Sequence, residues 1–135
     1  MPASITQANK ILEAQVGKTA FGTQVAYVGL SSTTPANGNP PTNITEPSGG
    51  SYARVTTSGA TWGSASAGSI TNAAAITFPT ASADWASGSN MTYGILYDAS
   101  TAGNVIGYGV LTVAKNVLSG DTASIAIGQL TVTIS

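Results

Sequence analysis

"NMTYGILYDASTAGNVIGYGVLTV", residues 90–113, is the stretch that decides the fold class. Its first nine residues set Met91, Tyr93, Ile95 and Tyr97 at every second position, the period of a strand with one shared face. "ASTAG" (99–103) interrupts with small turn-forming residues. "NVIGYGVLTV" (104–113) then resumes as the partner strand of a hairpin.

The same period of two extends on both sides. "QVAYVGL" (24–30) reads as a strand, and so does "SYARVTT" (51–57), with Tyr52, Arg54 and Thr56 on one side. A further strand is expected near Ala74 to Phe78, stopping before Pro79. After a loop through "KNVLSGD", "TASIAIG" (122–128) and "QLTVTIS" (129–135) close the chain, the latter alternating Leu130, Val132 and Ile134 with Thr131, Thr133 and Ser135. About seven short strands at intervals of roughly 8 to 15 residues predict an all-β fold, an antiparallel β-sandwich or jelly-roll-like barrel. Strands do not alternate with helices, which argues against a doubly wound α/β design, and no long repeat suggests a solenoid.

One helix is expected, at the start. Ser4 with Gln7 three residues later has capping-box spacing, and Ile5, Ala8, Ile11, Leu12 and Val16 recur near one face. Gly17 suits the C-terminal position. The apolar stripe packs either on its own domain or on a neighbouring subunit. Residues 1–20 thus read as an N-terminal arm and helix, and residues 21–135 as a single β-sandwich domain. The longest loop, "SSTTPANGNPPTNITEPSGG" (31–50), carries Pro35, Pro40, Pro41 and Pro47, which deny donors to any ladder. A loop of that length implies function, a contact surface or ordering by a partner.

Composition narrows the function. Of 135 residues, four are basic and five acidic, so 7% are charged, against roughly 25% in an ordinary domain. Lys10, Lys18, Arg54 and Lys115 are too few and too scattered to neutralise phosphates, which argues against a nucleic-acid partner. No apolar run is long enough to span a membrane, and "MPASITQANK" has no secretory pattern, so synthesis in the cytoplasm is expected. Without cysteine or histidine there is no thiol nucleophile, no disulfide and no common transition-metal ligand.

The carboxylates are Glu13, Glu46, Asp84, Asp98 and Asp121. Any two could converge as a glycosidase-type pair, but Asp98 in "YDAST" and Asp121 in "SGDTA" read as turn caps, Asp84 as a loop residue and Glu13 as a solvated helix position. No calcium-loop or phosphate-cradling spacing occurs, and the aromatic residues fall in strand patterns that suit packing better than a sugar platform. The expectation is a protein that is not an enzyme and has no cofactor or metal. In "EPSGGSYARV" (46–55), Gly49 and Gly50 read as the end of a mobile loop. Glu46 and Arg54 read as a structural clamp, with Arg54 anchoring the loop through Glu46, another carboxylate or backbone carbonyls.

In order, "YVGLSSTTP", "TEPSGGSYARV", "NAAAITFPTASADW", "YGILYDASTAGNVIGYGVLT" and "SGDTASIAIGQLTVTI" give nearly the whole chain a family likeness. It resembles a group of small tailed-bacteriophage virion proteins, variously labelled head decoration, tail fibre or hypothetical. The chain departs from that pattern in its proline-richer loop and in Ile125 and Ile127, where an aromatic residue is common. The resemblance implies a β-sandwich structural protein of the virion, a homo-oligomer, with no active site to carry over. The first expectation is a head decoration (cement) protein that binds the major capsid protein lattice, as a homotrimer on the capsid surface. A tail fibre or tail-tip module for host adhesion is the alternative. Contacts are expected on the helix (Ile5, Ile11, Leu12, Val16) and on the loop (Pro35, Pro40, Pro41, Pro47).

Overall fold

The computed structural model describes residues 5–133 apart from 21, 23, 39 and 87, and of Thr6 only the backbone. Helix α1 (Ile5–Gln15) is followed by strands β1 (Tyr27–Ser31) and β2 (Val55–Thr56) and a short 3-10 turn (Gly59–Thr61). Strands β3 (Ser69–Thr71), β4 (Ile76–Thr80), β5 (Met91–Tyr97), β6 (Val105–Lys115), β7 (Thr122–Ile125) and β8 (Thr131–Thr133) complete the chain. All strand pairs are antiparallel. The central sheet has the order β2-β1-β5-β6, and two ribbons, β3-β8 and β4-β7, stand apart from it. This is the expected all-β, antiparallel sandwich-like fold with one short helix.

Alternation explains how the layers meet. Val28 and Leu30 of β1, Leu96 of β5 and Leu111 of β6 pack with Ile76 and Phe78 of β4, Ala123 and Ile125 of β7, Leu130 just before β8 and Val132 within it. Each large aliphatic or aromatic side chain sealed there stabilises the fold by about 1.5–3 kcal/mol. On the ribbons' other faces, Ser69 meets Thr133 and Thr71 meets Thr131, with hydroxyls 2.8 and 3.0 Å apart. A second cluster, Ile95, Tyr97 and Tyr108 with Tyr27, Ile44, Tyr93 and Val105, forms on the outer face of the central sheet. Ile44 comes from the proline-rich loop, which folds back over that face.

Several strand expectations are corrected. Residues 24–26 are not strand, because β2 has two residues and β5 ends opposite Tyr27, so neither side offers them a partner. "SYARVTT" shortens to Val55–Thr56, and Tyr52 and Val55 both pack on the inner core, against strict alternation. Met91 leaves the face of Tyr93, Ile95 and Tyr97 for the inner core, because the β5–β6 register shifts between Met91 and Tyr93. Strand β4 runs through Pro79, which falls in the register break between Thr77 and Thr80, where a missing N–H costs no ladder bond. Ser4 and Ile134 lie outside the described residues.

Candidate functional site

Glu46 and Arg54 meet beside the edge of the central sheet. Arg54 Nε donates to Glu46 Oε2 at 2.8 Å and Nη2 donates to Oε1 at 3.0 Å, a fork-to-fork pair. Nη1 donates to the carbonyls of Ala99 (2.9 Å) and Ala102 (2.8 Å) in the β5–β6 turn. The guanidinium carbon lies 3.3 Å from the centre of the Tyr97 ring. The Arg54 side chain is 9% exposed and that of Glu46 23%, so this pair is partly shielded from solvent. One cation therefore joins the end of the proline-rich loop, the hairpin turn and the outer face of β5.

Three neighbours that sequence reasoning does not single out complete the arrangement. The Tyr52 hydroxyl donates to Glu46 Oε2 (2.9 Å) and accepts the Leu30 N–H (3.0 Å). It thus supplies β1 with an acceptor beyond the reach of the short β2. The Tyr52 ring packs with Phe78 and Trp85, at centroid distances of 6.3 and 5.1 Å. Burial, then the Glu46 charge, pushes the Tyr52 phenol well above the ordinary tyrosine range. The same two causes push Tyr97 up to about 12. For Arg54, burial acts to lower the pKa, but the Glu46 hydrogen bonds and charge outweigh it and raise the value. Gly29 is the third neighbour: a Cβ there would stand 2.6 Å from Glu46 Oε2 and 2.8 Å from the Tyr52 oxygen. Only glycine lets both groups approach the strand this closely.

The two glycines before Tyr52 form a bonded turn and not a free loop end. Gly49 and Gly50 have φ of 75° and 58°, and Tyr52 N–H closes the turn on Gly49 O at 3.0 Å. Gly50 O accepts the Trp85 indole N–H (2.8 Å) and the Ser82 N–H (3.0 Å). The left-handed backbone favours glycine at both positions, and a Cβ at Gly50 would stand a tight 3.1 Å from the Trp85 ring.

The other carboxylates hold local structure. Asp98 accepts the Asn104 backbone N–H (2.6 Å) and side-chain amide (3.0 Å), and these bonds lower its pKa. Asp121 accepts Leu118 N–H, and Asp84 accepts Ser119 N–H. Glu13 pairs with Lys18 at 3.5 Å on the exposed helix. Among the described residues no group of three or more carboxylates could hold a metal. The pocket beside the clamp, about 310 Å³, contains a single carboxylate, Glu46.

The expected contact residues divide. Ile5, Leu12 and Val16 are 39, 60 and 79% exposed and form an outward stripe. Ile11 instead turns inward with Gln7, and both line an apolar pocket with Ile70, Leu96, Ile106 and Val132. Gln7 is buried and donates to Gln24 at 3.1 Å. The single stripe expected from sequence therefore separates into two faces, since Ile11 lies about a third of a turn away from Leu12 and the body sits on its side. Pro35, Pro41 and Pro47 are buried in the protein's own fold, so of the loop prolines only Pro40 presents an exposed surface to a partner.

A family model described as podophage GP4 fiber I protein gp80 matches residues 2–133. No curated protein matches the chain. A match of that extent takes in the helix, the clamp and every strand, and the chain belongs to this family of phage virion structural proteins.

Proposed function

We propose that this phage virion protein is a structural subunit of the fiber, assembled with copies of itself and with other virion proteins, and that it works by contact and not by catalysis. The observation that carries this reading is the family match, which covers the sandwich as a whole and whose description names a fiber protein. It favours the tail-fibre alternative over head decoration, the first expectation from sequence. The outward stripe of Ile5, Leu12 and Val16 supports a role in packing, because an exposed apolar helix face gains stability when another surface covers it.

Gold-labelled antibody against the chain, viewed on intact particles of the parent phage, tests the position. Label on fibers at the tail is expected. Label spread over the head would overturn the fiber reading in favour of capsid decoration. Light scattering of the purified chain beside the triple variant I5S/L12S/V16S tests the contact. The variant is expected to fold but to associate less, and equal association would remove the helix stripe from the interface.

A further inference from the structure

The outer face of the central sheet is not roofed along its whole length. Ile44 of the proline-rich loop packs on the Ile95, Tyr97 and Tyr108 cluster, while Thr34 and Pro35 form a wall beside Tyr93 and Val110, which pair directly across β5 and β6. On the other side Thr131 and Thr133 of β8 rise as a second wall. Between the walls lies a trough of about 360 Å³, with Tyr93, Tyr108 and Val110 as its floor. That volume is at the small end of ligand sites.

We propose that this trough binds a neutral saccharide. Its floor offers two phenol rings, set 6.5 Å apart edge to face, and Val110, which is 59% exposed. Tyr108 is 8% exposed and offers little more than its edge, so the half-buried Tyr93 ring and Val110 are the surfaces that suit the C–H face of a pyranose ring, since tyrosine combines an apolar body with a polar tip. Neither the Tyr93 nor the Tyr108 hydroxyl bonds another described residue, and neither is sealed from solvent. Thr131 and Thr133 each bond one cross-strand hydroxyl and keep further capacity, because a hydroxyl carries one donor and two lone pairs. The residues lining the trough include no Lys, Arg, Asp or Glu, so nothing there compensates the charge of an acidic sugar or a phosphate. An apolar floor with a few converging hydroxyls is the chemistry that recognises a polyol with one flat apolar face. The inference rests on the trough alone and does not depend on where in the virion the chain sits.

The test is a heteronuclear NMR titration of the isotope-labelled full chain. The probes are methyl pyranosides of neutral hexoses and N-acetylhexosamines, with glucuronate and N-acetylneuraminate as acidic counter-probes. Saturable shifts are expected with at least one neutral probe, confined to amides around Thr34, Tyr93, Gly109, Val110 and Thr131. The variant V110R, which places a long charged side chain at an exposed position over the floor, is expected to keep the wild-type spectrum elsewhere and to weaken binding about tenfold or more. Y93A, read alongside its own melting curve, removes a ring from the floor and should weaken binding similarly. Absence of saturable shifts with every neutral probe, shifts centred elsewhere, equal response to the acidic probes, or full affinity in V110R would each overturn the proposal. Gold labelling fails or succeeds separately, so the two readings remain distinguishable.

Discussion

The two halves of the central sheet's outer face are made from the same strands and treated in opposite ways. At one end Ile95 and Tyr97 are buried in a cluster that Ile44 of the loop packs against, with Arg54 fastening loop, turn and the Tyr97 ring together. At the other end Tyr93, Tyr108 and Val110 floor an open trough. Hydrophobicity does not separate the halves, since tyrosines and aliphatic residues occur in both. The Glu46–Arg54 pair lies at the first end, beside the loop's own hydrogen bonds such as Thr45 N–H to Ser31 Oγ and Thr33 Oγ1 to the Asn43 carbonyl. The other described pair, Glu13 with Lys18, sits on the exposed helix, where such contacts contribute about 0–1 kcal/mol. The partly shielded pair lies where a long loop has to be held down. In this charge-poor chain, the forked pair helps to hold the loop at one end of the face, while the proposed saccharide trough lies at the other.

The strongest way to break that contrast is Arg54→Ala. It would leave Glu46 without its cation and the Ala99 and Ala102 carbonyls without a donor. Truncating one member of a shielded pair costs about 3 kcal/mol, which lowers Tm on the order of 10 °C in a chain of this size. Calorimetry should show that loss, and hydrogen exchange should show faster exchange across residues 32–50. Unchanged protection in the loop would mean that the prolines and Ile44 hold it without the clamp. Next in size is Gly29→Ala, which places a Cβ inside the space of Glu46 and the Tyr52 oxygen. Overpacking at such a point costs about 1–3 kcal/mol, and a stability equal to wild type would show that the carboxylate can swing aside without loss.

Part of this site is legible in the sequence. Glu46 and Arg54 stand out because opposite charges are rare in the chain, and the fold brings them together. Tyr52, Tyr97 and Gly29 are not legible there, because their roles follow from the β1–β5 register and the Gly49–Tyr52 turn, which join residues distant in sequence. The β class is readable from alternation in 90–113, yet alternation alone puts Met91 on the wrong face, because a register shift leaves no mark in a two-residue period. The helix misleads for a related reason. Apolar spacing marks Ile5, Ile11, Leu12 and Val16 as one stripe, but only the position of the body decides that Ile11 turns inward and the others outward. The prolines read as a contact surface, yet Pro35, Pro41 and Pro47 are buried within the protein's own fold and Pro40 alone of the four is exposed.

Tyr52→Phe sharpens the contrast further by keeping the ring against Phe78 and Trp85 while removing the oxygen that joins Leu30 to Glu46. Losing one net hydrogen bond and leaving the Leu30 N–H without an acceptor costs about 1.5 kcal/mol, readable by urea titration. The trough should be unaffected, so saccharide binding in Y52F should match wild type within error.

The smallest expected effect is the alkaline one at pH 10. Tyr97 is held up to about 12 and Tyr52 higher, while in the unfolded chain both phenols ionise near 10. Below pH 10 both states keep their protons and stability is full. Above it the unfolded chain releases them first, so stability falls as pH rises from about 10 toward the folded values. At pH 10 the loss is about 0.4 kcal/mol for each of the two tyrosines, and it steepens above. Urea midpoints at pH 8, 10 and 11 read this directly, and Y97F should remove its share of the slope. A flat profile to pH 11 would mean that the closed half of the face admits water to both phenols. The difference between the sealed and the open end would then lie in shape alone and not in solvation.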